Sequence, residues 1–80
     1  MKNITVRFFA VFREAAGVEL TTLETGSANA EDLFAEMTRL FPGLAPESAA
    51  LVAINDEMVA WDQPIGDGDE VLFFPPVAGG

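Results

Sequence analysis

The N-terminal segment alternates apolar and polar side chains, as a half-buried strand does. Ile4, Val6 and Phe8 fall on one face of a strand predicted over residues 3–9. Phe9 breaks the alternation because it places a large apolar side chain on the polar face. Two interpretations of Phe9 stay open: it covers a neighbouring loop, or it belongs to a surface that binds a partner.

The segments that follow predict a short helical turn and a second strand. Residues 11–17 end on Gly17, a residue that suits the C-terminal end of a helix. Residues 19–25 predict a strand that pairs with the first strand as a hairpin.

The middle of the chain predicts the main helix. Asn29 followed by Asp32 resembles a capping box at the start of a helix, and Pro42 with Gly43 ends it. Acidic residues in the first turn suit the positive end of the helix dipole. Apolar side chains recur at helical spacing and predict one face that packs on the core: Leu33, Phe34, Met37, Leu40 and Phe41.

The rest of the chain predicts three short strands joined by turns. Residues 51–55 and 58–59 predict the first two of these strands, with a tight turn at residues 55–57 between them. Trp61 is expected to cover a small core, and an anchor in an interface is the alternative. Residues 70–74 predict the last strand.

The last strand and the order of the elements indicate the fold. Glu70 should face water, and strand parity then places Phe74 on the same outer face. A hairpin, a helix and three further strands predict an α+β domain, in which one main helix covers one face of a mixed sheet of about five strands. We expect this domain to span residues 1–75 and a flexible C-terminal tail to span residues 76–80.

The composition limits the reactions that the chain could take part in and the partners that it could bind. The 80 residues include no Cys and no His, which excludes disulfides, thiolate nucleophiles, imidazole bases and metal sites built on these ligands. The formal net charge of −9 repels nucleic acid and anionic membranes, and it favours a basic protein partner. An acidic surface suited to a saline habitat or to solubility is the alternative. No apolar run is long enough to span a membrane, and the N-terminus lacks the pattern of a signal peptide. We therefore expect a cytoplasmic protein.

Two features look reactive but predict ordinary structure. Residues 66–70 read Gly-Asp-Gly-Asp-Glu, whose carboxylates repel a phosphate and lack the spacing of a calcium-binding loop, so a solvated turn is expected. Ser27 and Ser48 have no base to activate them. We therefore predict no catalytic residue, no metal site and no bound cofactor in this chain.

The C-terminal residues offer the remaining chemistry. Pro75 and Pro76 lack backbone donors, so they end the last strand and direct the tail away from the domain. Gly79 and Gly80 have no Cβ atoms and form a thin tether that fits a narrow tunnel. The Gly80 carboxylate is a poor electrophile until it is coupled to AMP. Since the chain has no nucleotide-binding motif, a partner would use the ATP, and the chain would be a carrier and not an enzyme. A frayed terminus or an expression scar is the alternative.

Segments along nearly the whole chain resemble a known family. They are Phe8-Phe9-Ala10, Arg13-Glu14, Ala53-Ile54-Asn55, Asp67-Gly68-Asp69-Glu70-Val71 and Phe73-Phe74-Pro75-Pro76-Val77-Ala78-Gly79-Gly80. The chain is similar to the small sulfur-carrier subunits of molybdopterin synthase, a family with the ubiquitin-like β-grasp fold. The resemblance implies that a ubiquitin-activating-like adenylyltransferase adenylates Gly80 and that a sulfur donor protein supplies the sulfur of a Gly80 thiocarboxylate. This sulfur would be donated to cyclic pyranopterin monophosphate.

The resemblance also implies an interface. In a heterotetramer with the large synthase subunit, the tail would enter the large subunit's active site, carried by Val77, Ala78, Gly79 and Gly80. The residues that match the family's contact patch and the start of its tail are Phe9, Met58, Phe74, Pro75 and Pro76. Strand parity places Phe9 and Phe74 outside as well. Asn29, where Thr is commoner, and the large Trp61 depart from the family's pattern.

Three other functions stay open. A sulfur carrier of the thiamin pathway has the same Gly-Gly chemistry, but the segment Phe-Phe-Pro-Pro-Val before the glycines favours the molybdopterin branch by resemblance. A ubiquitin-like modifier would form isopeptide bonds with lysines of other proteins. An acidic interaction domain would have a tail without chemistry.

Overall fold

A computed structural model, which describes residues 1–44 and 50–75, shows five strands in one sheet. The strands are β1 (Lys2–Phe8), β2 (Leu20–Thr25), β3 (Leu51–Ile54), β4 (Glu57–Val59) and β5 (Glu70–Phe74). The helices are α1 (Val11–Ala16) and α2 (Ala30–Leu40).

The sheet is mixed, with the strand order β2-β1-β5-β3-β4. β1 runs antiparallel to β2 and parallel to β5, and β3 runs antiparallel to both β5 and β4. The two chain-terminal strands β1 and β5 therefore lie side by side in the interior of the sheet. This topology, with one main helix on one face, confirms the α+β class and the β-grasp fold expected from the sequence.

The core lies between α2 and one face of the sheet, which we call the inner face. Val6, Val71 and Phe73 of the central strands are fully buried, and Leu33 and Met37 of α2 pack in the same cluster. The alternation predicted for β1 and β5 is thus confirmed. Burial of these apolar side chains is the main favourable term in the free energy of folding.

Helix α2 begins as predicted, but the prediction was wrong for one residue of its apolar face. The Asn29 side chain accepts a hydrogen bond from the Asp32 N–H at 2.9 Å. Leu40 was expected in the core, yet 56% of it is exposed. The chain turns to an extended conformation at Phe41, whose ring packs edge-on against Phe8 with centroids 5.5 Å apart. Phe41 therefore fills the core next to the helix end, and Leu40 stays outside.

The predicted turns are confirmed with small shifts of the strand ends. Strand β1 ends at Phe8 and not at Phe9, and β2 begins at Leu20 and not at Glu19. Gly17 ends α1 with a left-handed φ of 80°. Asn55 and Asp56 have φ angles of 51° and 69° in the turn between β3 and β4, a conformation that these two residue types tolerate.

Trp61 covers one side of the core, as expected. Its ring stacks on Phe73 with centroids 5.9 Å apart and planes 7° from parallel. The indole N–H donates a hydrogen bond to the Ala50 carbonyl at 3.2 Å. Because the apolar ring is packed and its one donor is satisfied, the position of Trp61 is explained by the fold.

The acidic segment over residues 66–70 is the solvated turn that was expected. The Asp67 carboxylate accepts the Asn3 N–H at 2.7 Å, and the Asp69 carboxylate accepts the Gly66 N–H at 2.7 Å. These carboxylates hold the loop to the start of β1 and close it on itself. Within residues 1–44 and 50–75, no cluster of acidic side chains is arranged to hold a metal ion, and no helix is long and apolar enough to cross a membrane.

Candidate functional site: an exposed apolar surface at the end of β5

The parallel pairing of β1 and β5 brings two distant segments to one end of the sheet. Phe8 pairs with Phe73 in the register of these strands. The Phe9 N–H continues the pairing by donating a hydrogen bond to the Phe73 carbonyl at 3.1 Å. Phe9 therefore lies beside Phe74, the last residue of β5, just before the chain leads into the tail.

A group of apolar side chains lies on the sheet face opposite α2, which we call the outer face. The strand register places Leu72 between Arg7 and Ala53, and Ala53 next to Met58, in one row across four strands. Leu51 pairs with Phe74 in the next row. We call the apolar side chains of this region the outer patch: Phe9, Leu51, Ala53, Met58, Leu72 and Phe74.

Much of the outer patch is accessible to water. Phe9 is 61% exposed, Met58 56% and Leu51 38%. Leu72 and Phe74 are half-buried, and Ala53 is buried although it is absent from the core cluster. The small Ala53 side chain lies between the longer side chains of Leu72 and Met58 in this row. A contiguous exposed apolar surface of this kind is typical of a site of protein association.

The structure brings together the described residues that the sequence assigned to the interface. Phe9, Met58 and Phe74 lie on the outer face, and half-buried Pro75 directly follows Phe74. Their roles in binding stay predictions, as does the boundary between domain and tail. The predictions for the tail concern residues outside the described ranges: Pro76, Val77, Ala78, Gly79 and Gly80.

Sequence reasoning missed three members of the outer patch, Leu51, Ala53 and Leu72. The segment Leu-Val-Ala-Ile of β3 is apolar throughout, so it has no alternation that could assign its residues to faces. Leu72 carried a usable signal, because strand parity places it on the same face as Phe74.

Charged residues border the outer patch. They line a groove with Phe8, Phe9 and Leu72, and comprise Arg7, Glu19, Asp56 and Glu70. Arg7 Nε lies 3.5 Å from the Glu70 carboxylate, with both side chains close to half exposed. The border is therefore acidic overall, in keeping with the net charge of −9, and it is complementary to a partner with basic residues around an apolar contact.

An unusual backbone conformation directly follows Phe9. Ala10 has φ 54° and ψ −127°, a region that residues with a Cβ rarely adopt. The Phe12 N–H donates to the Phe9 carbonyl at 3.1 Å, so Phe9 to Phe12 form a tight turn with Ala10 at its second position. A non-Gly residue held in such a region costs about 1–3 kcal/mol. Nothing in the sequence pattern predicted this strain.

Comparison with known proteins assigns the chain to a family. The sequence profile of the ThiS family matches residues 6–80. The chain belongs to the ThiS family. A curated relative, the molybdopterin synthase sulfur carrier subunit of Escherichia coli, is 41% identical over 80 residues, which cover 96% of this chain and 99% of the relative. The resemblance expected from the sequence is thereby confirmed.

Solved structures of similar proteins agree with this assignment to the ThiS family. A Pyrococcus furiosus protein, provisionally named molybdopterin converting factor subunit 1, has a TM-score of 0.83 and 31% identity; the match covers 96% of this chain and all of the other. A second similar chain comes from a complex of subunits 1 and 2 of the molybdopterin-converting factor of Helicobacter pylori. It has a TM-score of 0.67 and 26% identity, and the match covers 98% of this chain and 99% of that one.

Proposed function

We propose that this ThiS family member is the sulfur carrier of molybdenum cofactor biosynthesis. The observation that carries the proposal is the 41% identity, over nearly the full length of both chains, with the sulfur carrier subunit of Escherichia coli molybdopterin synthase. The outer patch supports it, because an exposed apolar surface lies where β5 leads into the tail. The chain itself is a non-catalytic subunit.

The chemistry takes place at the Gly80 carboxylate. A carboxylate oxygen attacks the α-phosphorus of ATP in the site of a ubiquitin-activating-like adenylyltransferase, and pyrophosphate leaves. Sulfide, delivered by a sulfur donor protein, then adds to the acyl carbon and AMP leaves, which gives a thiocarboxylate. The thiocarboxylate sulfur then bonds to a carbon of cyclic pyranopterin monophosphate and displaces an oxygen substituent of that carbon. Water hydrolyses the resulting thioester, which leaves the sulfur on the pterin and restores the Gly80 carboxylate. The small Gly79 and Gly80 let the tail reach into each partner's active site.

The partner that contains the transfer site is the large subunit of molybdopterin synthase. A similar small subunit was solved in complex with subunit 2 of the Helicobacter pylori factor, which supports an association of the same kind here. The outer patch supplies the contact and the acidic border favours a basic rim on the partner. We propose that the complex is a cytoplasmic heterotetramer, with two copies of each subunit.

The intact mass of the protein tests the proposal directly. The chain is incubated with ATP, a sulfur donor and the activating enzyme, and fragmentation then locates any change of mass. Replacement of one oxygen by sulfur at Gly80 is the expected result. A variant that lacks Gly80 is the control: it should keep the melting temperature of the wild type but acquire no sulfur. An unchanged mass, with an enzyme proven competent on another carrier, would overturn the proposal.

The match to the ThiS family profile also supports a second candidate function, that of a sulfur carrier in the thiamin pathway. Both carriers would gain the same thiocarboxylate, so the mass experiment does not separate them. Co-purification does: the molybdopterin carrier retains a large synthase subunit, whereas the thiamin carrier retains a thiazole synthase. Gly80 joined to lysines of other proteins would instead indicate a ubiquitin-like modifier.

A further inference from the structure

Ala10 is the one alanine with a positive φ among the residues that the structure describes. The other described non-Gly residues with positive φ are Asn55 and Asp56, whose side chains make this region accessible. In a tight turn, a positive φ at the second position is ordinarily supplied by Gly. The local preference of Ala10 therefore opposes its conformation, and contacts elsewhere must hold it.

Those contacts lie on both sides of Ala10. Before it, the Phe9 N–H donates to the Phe73 carbonyl at 3.1 Å and fixes the chain to β5. After it, the Phe12 ring is buried and lies 5.7 Å from the Phe34 ring. The Arg13 N–H donates to the Ala10 carbonyl at 3.0 Å and begins α1. The chain is therefore hydrogen-bonded to the sheet at Phe9 and buried in the core at Phe12, three residues later.

The turn determines where the Phe9 side chain lies. An ordinary extended conformation at Ala10 would continue β1, and Phe12 could not reach the core without breaking the bond between Phe9 and Phe73. With Ala10 in its strained conformation both anchors persist, and Phe9 stays 61% exposed beside Phe74. An aromatic side chain fixed before binding loses less conformational entropy when it is buried by a partner.

We propose that Ala10 is a positioning residue, whose strained turn holds Phe9 ready to bind the large synthase subunit. The inference rests on the proposed function, because Phe9 is assigned to that interface there. It assigns to Ala10 a role that acts through the position of the Phe9 ring.

A double-mutant cycle tests the inference. Affinity for the large synthase subunit of the same organism is measured by calorimetry, at a temperature where every variant is folded. Ala10→Val introduces a β-branched side chain, which disfavours positive φ, and should weaken binding about tenfold. Ala10→Gly accepts the same conformation without strain and should bind within about twofold of the wild type. In the Phe9→Ala background, Ala10→Val should cause no further loss.

Each other outcome of the cycle identifies what has failed. Equal losses from Ala10→Val in the presence and absence of the Phe9 ring would show that Ala10 does not act through Phe9. A similar loss from Asn29→Ala, which weakens α2 far from the turn, would assign the effect to stability. If Phe9→Ala itself leaves affinity unchanged, the interface and this inference both fail. If the wild type does not bind a large subunit that is competent with another carrier, the proposed function fails first.

Discussion

Both faces of the sheet carry apolar side chains, but only those of one face are covered by a helix. On the inner face, Val6, Val71 and Phe73 have no exposed surface, because α2 packs over them. On the outer face, Phe9 and Met58 keep more than half of their surface accessible. The apolar side chains of the two faces therefore differ in their surroundings: those of the inner face are buried and stabilise the fold, and those of the outer face are partly exposed where we propose that a partner binds.

Adjacent residues of β5 allow the two faces to be compared within a single strand. Phe73 points inward and is fully buried, with the rings of Phe8, Phe34 and Trp61 around it. Phe74 follows it on the outer face and is half-buried. Two phenylalanines that are neighbours in one strand therefore point to opposite faces. They share the same backbone and the same adjacent strands, so they differ mainly in what covers the ring.

The largest effect expected is on stability, from Phe73→Ala. Removal of a fully buried ring leaves a cavity among three aromatic neighbours and should lower the free energy of unfolding by about 3–5 kcal/mol. Phe74→Ala is the matched control and should cost about 1 kcal/mol, because part of its ring is already in water. Urea denaturation measures both. Equal losses would mean that the outer face stabilises the fold as much as the inner face does.

The next effect concerns binding, and it distinguishes the outer patch from other exposed apolar residues. Phe9→Ala should weaken binding to the large synthase subunit by about 1–4 kcal/mol, the range of an interface hot spot. Leu40→Ala removes a side chain that is similarly exposed but lies on α2, and it should leave affinity unchanged. Calorimetric titration of both variants measures the difference. A comparable loss from Leu40→Ala would place the partner on the helical side.

A smaller effect is expected from weakening α2, which covers the inner face, and it should change stability without changing affinity. Asn29→Ala removes the acceptor for the Asp32 N–H at the start of α2 and should lower the free energy of unfolding by about 1 kcal/mol. Affinity for the large subunit should not change, since the helix lies on the opposite side of the sheet from the outer patch. Thermal unfolding and titration are both needed. Weaker binding by this variant would show that a loss of stability by itself lowers the affinity for the large subunit.

The sequence predicted most of the fold because the inner face follows simple periodicities. Alternation in β1 and β5 identified the buried residues, and the cap at Asn29 marked the start of α2. The prediction failed at Leu40, where helical spacing placed the side chain in the core. Periodicity cannot show that Phe41, just past the helix end, takes that space.

The outer patch was harder to predict, because it is assembled from strands that are distant in the sequence. Phe9 and Phe74 are 65 positions apart, the difference of their numbers, and they meet only through the parallel pairing of β1 and β5. Leu51 and Ala53 lie in an apolar run without alternation. The strain at Ala10 arises from hydrogen bonds and packing on either side of it, so no local preference could indicate it.

The smallest effect expected comes from the charged pair on the outer face, Arg7 and Glu70. The pair is 3.5 Å apart with both side chains close to half exposed, so water and salt screen its attraction, and such pairs contribute about 0–1 kcal/mol. A double-mutant cycle with Arg7→Met and Glu70→Gln should give a coupling in that range, which decreases as salt is added. Measured by urea denaturation, a coupling well above 1 kcal/mol would contradict the comparison of the two faces. The charged border of the outer patch would then stabilise the fold, and its residues could not be assigned to partner binding alone.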